Sequence, residues 1–316
     1  MLGELSASHL GIYKWGGGGV STGHLGLRHH EGRNAPGVKV RAVIPNGPAE
    51  RAGIEPGDYI LSIDGHEIAA GQNYYELLAD TAGEEIMVVV ADNVSRGGAR
   101  DVRIRPADGG TMGRLMYEER VRSRRSMVEE LSEGRLGYLH IAGMGLSNLI
   151  QFEEDLFAQG WDKDGLVVDI RGNGGGSVHD EILRFLDREV YGYTTSRTRP
   201  PSQNPLELFT RPLVLLIDES CYSDAEIFPM GWKALDLGPV VGTPTYGAVI
   251  GTNDVNLIDG TGFRVPGSGW YDVEGRNLEN WGIEPDVRVD SVPEEGARGQ
   301  DSQLRVAVEV LLEKLQ

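Results

Sequence analysis

A single cysteine, Cys221, stands in the 316 residues. That excludes an internal disulfide and suggests a reducing compartment. No apolar run approaches the ~20 residues needed to cross a bilayer. The N-terminus lacks a basic region followed by an apolar core, so no signal peptide is expected and a cytoplasmic location is. Positive charge is scarce: 30 Lys plus Arg face 48 Asp plus Glu, for a formal net charge of −18. This sign argues against nucleic acid or an anionic membrane as partner and suits cationic peptides. No His, Cys and carboxylate spacing predicts a closed metal site. "GNGGG" has neither the G-x-G-x-x-G order nor a P-loop lysine, so no nucleotide and no other cofactor is expected.

What is there divides into four segments. Residues 1–19 are short and apolar-interleaved, broken by Gly16–Gly19. Residues 20–107 read as a β-rich unit, with "VKVRAVIP" and "IMVVVADN" as strands, Pro48–Ala52 and "YYELLADT" as short helices, and Asp64-Gly65 as a hairpin turn. Residues 108–135 carry mixed charge on a linking helix, expected to be solvated along with its "RSRR" run (Arg122–Arg125). From 136 to 316 strands and helices alternate. Near-continuous apolar runs such as "PLVLLI" suit a parallel sheet covered on both faces.

In such a sheet, ligands gather where strands end and helices begin. Three junctions qualify: Asp169–Val178 ("DIRGNGGGSV"), Asp218–Glu226 ("DESCYSDAE") and Gly242–Gly251 ("GTPTYGAVIG"). Parallel neighbours with right-handed crossovers bring all three to one edge. Glycines let backbone N–H groups approach an oxyanion, and the residue after a nucleophile at a helix start adds another. Ser223 is therefore a candidate nucleophile. The local alternative is that Ser223-x-x-Glu226 simply caps the next helix. Cys221 reads as a buried small residue.

A serine needs a base. Four of the seven histidines (His24, His29, His30, His66) fall in the β-rich unit, and His140 lies inside a strand. His179 follows the glycine loop, and His9 sits in "LSASHLGIY".

"GPAERAGIEPGDYILSIDG" resembles a bacterial PDZ domain, which implies an extended peptide held at a sheet edge, with Gly23–Leu27 ("GHLGL") as candidate carboxylate loop. "SASH", "DIRGNGGG", "ESCYSDAEIFP" and "ENWGIEPD", in that order, resemble the catalytic half of the tricorn protease family. The resemblance implies a PDZ domain plus a crotonase/Clp-like α/β domain. It implies a Ser/His/Ser/Glu tetrad: Ser223 as nucleophile, His9 as base, Ser8 hydrogen-bonded to the imidazole and Glu279 polarising Ser8. Gly176 or Gly175, with Asp224, would supply oxyanion N–H groups, and Asp187 stands as candidate for a basic P1 side chain. It further implies a homohexamer and no cofactor. The two β-propellers usual upstream in that family are not in this sequence. C-terminal processing peptidases share the domain pair but use a serine–lysine dyad. Here the lysine position is Ala248, and no lysine lies between Lys233 and Lys314. The expectation is thus an endo- or aminopeptidase-like serine hydrolase of short peptides. Its competitors are a non-catalytic PDZ-type peptide-binding protein and a processing-type peptidase using another base such as His179.

Overall fold

The computed structural model describes residues 7–13, 19–30 and 35–316. The first six residues, Lys14–Trp15 and all of the glycine break but Gly19 lie outside them. Two compact units emerge: the residues before 16 group with Arg124–Gln316, and Gly16–Ser123 form the other.

The larger unit begins with a three-residue strand, β1 (Gly11–Tyr13). The chain then builds the smaller unit from β2 (Leu27–His29), β3 (Val38–Val43), α1 (Pro48–Arg51), β4 (Tyr59–Ile63), β5 (His66–Glu67), a 3₁₀ turn (Tyr74–Leu78), β6 (Ile86–Ala91) and β7 (Arg100–Ile104). Its sheet runs β2-β3-β4-β6-β7, all antiparallel, with β5 hairpinned onto β4. Asp64 and Gly65 both take positive φ, as a tight hairpin between Ile63 and His66 demands. Val40, Ile60, Ile63, Val88 and Val90 alternate inward to form its core. In the proposed carboxylate loop, the Gly23 N–H donates to Leu78 O and the His24 N–H to Ala107 O, each at 2.8 Å.

Helix α2 (Gly109–Leu131) carries the chain from one unit into the other. It is less solvated than its charge suggests. Arg124 is only 20% exposed and donates to Asp169 at 3.2 Å. The reason is Asp169 itself, a fully buried carboxylate that needs cationic partners.

The larger unit continues with β8 (Leu136–His140), α3 (Leu146–Gly160), β9 (Gly165–Asp169), α4 (His179–Leu186), the hairpin β10 (Gly192–Thr194) and β11 (Ser202–Asn204), β12 (Leu213–Ile217), α5 (Asp224–Ala234), β13 (Val240–Gly242), β14 (Ile250–Asn256), β15 (Gly262–Gly269), β16 (Val287–Arg288), α6 (Pro293–Ala297) and α7 (Ser302–Lys314). β8-β9-β12-β13-β16 form a parallel sheet in sequence order. Every residue of β8, β9, β12 and β13 is buried, which explains their unbroken apolar reading. One-directional right-handed crossovers stack α3, α4 and α5 on one face. There Phe152, Ile182 and Phe228 pack with Leu139, Val168 and Leu215. The other face takes α7: a side chain at Gly165 would lie 3.2 Å from Leu311.

The register brings the strand ends together. Asp169 pairs with Leu216 and His140, and Gly242 with Ile217. All three loops therefore leave the sheet at one edge, as the sequence predicts. A second, antiparallel sheet, β1-β15-β14, is new. Gly11, Ile12 and Tyr13 pair with Arg264, Phe263 and Gly262, which ties the N-terminal segment to residues some 250 positions later.

Candidate active site

Ser223 stands between β12 and α5 with φ 59° and ψ −122°. A side chain in that region costs about 1–3 kcal/mol, so the surroundings must impose it. They do so through Glu226, which is fully buried. One carboxylate oxygen accepts the Ser223 N–H (3.3 Å) and the Ala248 N–H (2.8 Å). The other accepts the Thr245 hydroxyl and the Gly247 N–H, both at 2.6 Å. The S-x-x-E motif thus does more than cap a helix: its glutamate ties the serine turn to the third loop.

The glycine loop is fastened from the other side. Buried Asn173 donates from Nδ2 to Ile141 O (2.9 Å), accepts the Gly175 N–H on Oδ1 (2.9 Å) and accepts the Tyr222 N–H on its carbonyl (3.1 Å). Asp218 Oδ1 accepts the N–H groups of Gly172 and Ser220. Gly175 takes φ 90°, and a Cβ there would sit 2.9 Å from both Ser223 Cβ and the Asp224 nitrogen. One at Gly176 would collide with Met144 O at 1.9 Å. Only glycine lets this loop lie against the serine turn. The Gly175 N–H is committed to Asn173, so Gly176 is the better candidate donor of the two.

Beneath the loop, Arg171 grips Asp169 through Nε and Nη2 and Asp301 through both Nη atoms, at 2.7–3.0 Å. Burial alone would raise the Asp169 carboxyl, but the Arg171 and Arg124 guanidiniums hold it well below the usual carboxylate range. Tyr138 donates to the same carboxylate at 2.9 Å.

His9 arrives on the turn that leads into β1. Its Nδ1 lies 2.5 Å from Tyr222 Oη, the residue before Ser223, and the two rings meet edge-on with centroids 4.4 Å apart. Its Nε2 is buried and has no hydrogen-bond partner among the described residues. Desolvation first, and then the Arg264 charge, push the imidazole below its ordinary value against an opposing pull from Glu279. Beside it, Ser8 gives its N–H to Glu279 Oε1 (2.5 Å) and its hydroxyl to Oε2 (3.0 Å), which also accepts the Val249 N–H at 2.8 Å.

The other candidates separate. His179 Nδ1 is 2.5 Å from Asp224 Oδ1, its N–H donates to Oδ2 at 3.2 Å, and Trp270 meets its ring edge-on. Burial would lower His179, but Asp224, helped by Asp180 and Glu181, raises it overall. Asp187 is exposed at the C-cap of α4, a helix length of roughly 12 Å from His179 at the other end. Cys221 is buried and donates from Sγ to Ile170 O at 3.2 Å. Burial and Asp218 push its thiol up, which suits a structural role.

Residues 135–289 match the model of peptidase family S41, and residues 39–92 match that of a PDZ domain. The tricorn protease of Thermoplasma acidophilum is 34% identical over 271 residues, which is 85% of this chain and 25% of that protein. Tricorn protease homolog 1 of Streptomyces coelicolor is 32% identical over 99% of the chain and 30% of its own length. A crystal structure of the tricorn protease superposes with a TM-score of 0.81 and 29% identity, over 99% of this chain and 31% of that one.

The chain joins a peptidase family S41 domain to a PDZ domain and resembles the tricorn proteases over most of its length.

The chain spans about a quarter to a third of the length of the tricorn relatives above. Among the described residues no helix is long and apolar enough to cross a membrane. Against this tricorn frame, sequence reasoning passed over Tyr222, Asn173 and the long reach of Glu226. An asparagine inside a glycine loop and a second role for the capping glutamate were discoverable signals. Nothing in the sequence singled out Tyr222.

Proposed function

We propose that this tricorn-type chain hydrolyses short peptides through an acyl-enzyme on Ser223. The observation that carries the reading is the seat of His9: an imidazole, lowered toward its neutral form, whose Nε2 has no partner among the described residues, against the residue that precedes Ser223. As Ser223 Oγ bonds to the scissile carbonyl carbon, its proton passes to His9 Nε2. The imidazolium then returns that proton to the leaving amine, and water repeats the sequence on the ester. The N–H groups of Gly176 and Asp224 face the developing oxyanion, each worth about 3–4 kcal/mol of barrier. Ser8 and Glu279 complete the tetrad by fixing the turn that bears the base. Substrates are short peptides, and cationic ones suit the net charge of −18. Assembly into a homo-oligomer in the cytoplasm belongs to the same reading, and a mass measurement in solution tests it.

A fluorophosphonate probe tests the chemistry. It labels Ser223, labelling and peptide hydrolysis both disappear in Ser223→Ala, and both slow greatly in His9→Ala. Hydrolysis that persists in Ser223→Ala removes the proposal. Silencing by His179→Ala with His9→Ala active would move the base to His179. The non-catalytic alternative gains nothing from the smaller unit, where the Gly23 and His24 N–H groups are already used internally.

A further inference from the structure

Around Ser223, the N–H groups of Gly175 and of Ser223 itself are taken by Asn173 and Glu226, while those of Gly176 and Asp224 meet no acceptor among the described residues. The Asp224 side chain, by contrast, is committed. Its carboxylate is buried, with one oxygen against His179 Nδ1 and the other accepting the His179 backbone N–H. We infer that His179 is the positioning residue of the oxyanion site: by gripping both oxygens of the Asp224 carboxylate, it holds the Asp224 N–H at the serine turn and keeps the carboxylate away from the unpaired donors. This rests on the reading of Ser223 as the nucleophile, and it sets His179 beside the chemistry without making it a carrier of the Ser223 proton.

The direction of the contact is fixed. A carboxylate only accepts, so the hydrogen in the 2.5 Å contact sits on Nδ1. Burial lowers the imidazole, and Asp224, with Asp180 and Glu181, more than offsets this. The pair also spans two elements. His179 opens α4 behind the glycine loop, and Asp224 opens α5 behind Ser223. Its two bonds therefore join the exits of the two loops that carry the unpaired N–H groups. Behind it the helices pack tightly, since a side chain at Gly231 of α5 would collide with Leu183 of α4. Trp270 meets the imidazole edge-on at 5.5 Å and backs the ring. The carboxylate needs such a partner. Released at a helix start, it would turn toward nearby unpaired N–H groups, which aspartate side chains cap readily. Its charge would then oppose the one that develops on the scissile carbonyl oxygen. With His179 in place the carboxylate faces away from the donors and its charge is met by a hydrogen-bonded imidazole.

The test uses the full chain with His179→Leu and His179→Asn, and two probes: a short cationic peptide aldehyde and the matching peptide alcohol. Ser223 Oγ bonds to the aldehyde carbon, its proton passes to His9, and the carbonyl oxygen becomes an oxyanion in the site. The alcohol binds without that step. In His179→Leu, kcat and aldehyde affinity fall together, roughly ten- to a hundredfold, less than for outright removal of a donor. KM and alcohol affinity stay within about threefold. His179→Asn, whose side-chain amide N–H takes the place of Nδ1–H, restores kcat and aldehyde affinity to within about fivefold of wild type. Equal losses for aldehyde and alcohol overturn the inference, and so does a His179→Leu protein of wild-type kcat. A His179→Asn protein as slow as His179→Leu overturns it too, because an amide can replace a donor but not a proton carrier. Asp224→Asn turns a donor toward one of the two His179 N–H groups and carries the same expectation as His179→Leu. It stands in if the leucine variant does not fold, and unchanged aldehyde affinity there overturns the inference. Ser223→Ala separates the two levels: hydrolysis surviving there sinks the peptidase reading itself, whatever His179 does.

Discussion

The proposed nucleophile and the proposed base are held in very different ways. Around Ser223, buried Glu226 and Asn173, with half-buried Asp218, bind three loops of one sheet edge through a closed set of hydrogen bonds. His9 hangs on a three-residue strand, one carboxylate and one phenol. Strain at Ser223 is affordable because its corner is over-determined. The His9 corner has few ties and its residues are half-exposed, so it is drawn from the low-stability end of the fold. Breaking the bonds that fasten the first corner should therefore appear as lost stability together with lost activity. Damage to the second should appear as lost activity alone.

The largest effect expected is from Ser223→Ala, which removes at least about 10⁴-fold of kcat while urea unfolding stays close to wild type. Next comes Glu226→Gln. An amide turns a donor either toward the N–H groups of Ser223 and Ala248 or toward the Thr245 hydroxyl and the Gly247 N–H, and each buried group left unsatisfied costs about 1–3 kcal/mol. The urea midpoint and kcat should fall together; a drop in activity at unchanged midpoint would mean that Glu226 serves the chemistry without holding the corner. Ile12→Pro addresses the other corner. Ile12 is exposed at 60%, yet proline cannot pair across to Phe263 in the middle of β1. The expected result is a kcat lowered roughly a hundredfold by a misplaced imidazole, with Tm almost unmoved. A large Tm loss would mean that the N-terminal strand stabilises the unit more than its few ties suggest.

Smaller effects come from titration. As the proposed base His9 would act as the neutral imidazole, and burial and Arg264 hold it below its ordinary value, so kcat should rise with pH through a limb lying on the acid side of an ordinary histidine. Arg264→Gln removes a charge that contributes to this lowering and should shift the limb to higher pH. The smallest signal belongs to His179. Its folded value is raised by Asp224, so the pair stabilises fully below the unfolded imidazole value and loses that contribution as pH rises through the folded one. The stability gap between wild type and His179→Gln should accordingly be wide at pH 5 and narrow at pH 8, as read by urea unfolding at the two values.

The α/β layer was legible because fully buried parallel strands need unbroken apolar runs, and "LVLLI" and "GLVVD" leave little else to fold into. The Asp64-Gly65 hairpin was legible because its turn demands two positive φ values. The sheet β1-β15-β14 was not: Ile250–Asn256 mixes glycine, asparagine and aspartate, its strands are mostly half-exposed, and its third member is over 240 residues away. At the site, Glu226 could be read only for its local bond three residues back, because the partners at Thr245, Gly247 and Ala248 exist only after the sheet has formed. Tyr222 carries no pattern of its own; its meaning lies in where its ring points. Asp187 was placed by its position in the chain alone, and α4 sets it at the far end from the glycine loop.

The Ser8–Glu279 clasp joins residues 271 positions apart. A ribosome therefore makes the imidazole first and the hydroxyl much later, and the carboxylate that seats the imidazole emerges later still. Until then the nascent polypeptide holds an unassisted serine beside its own unfolded segments. On the proposed mechanism the hydrolytic site is complete only once Glu279 has been made.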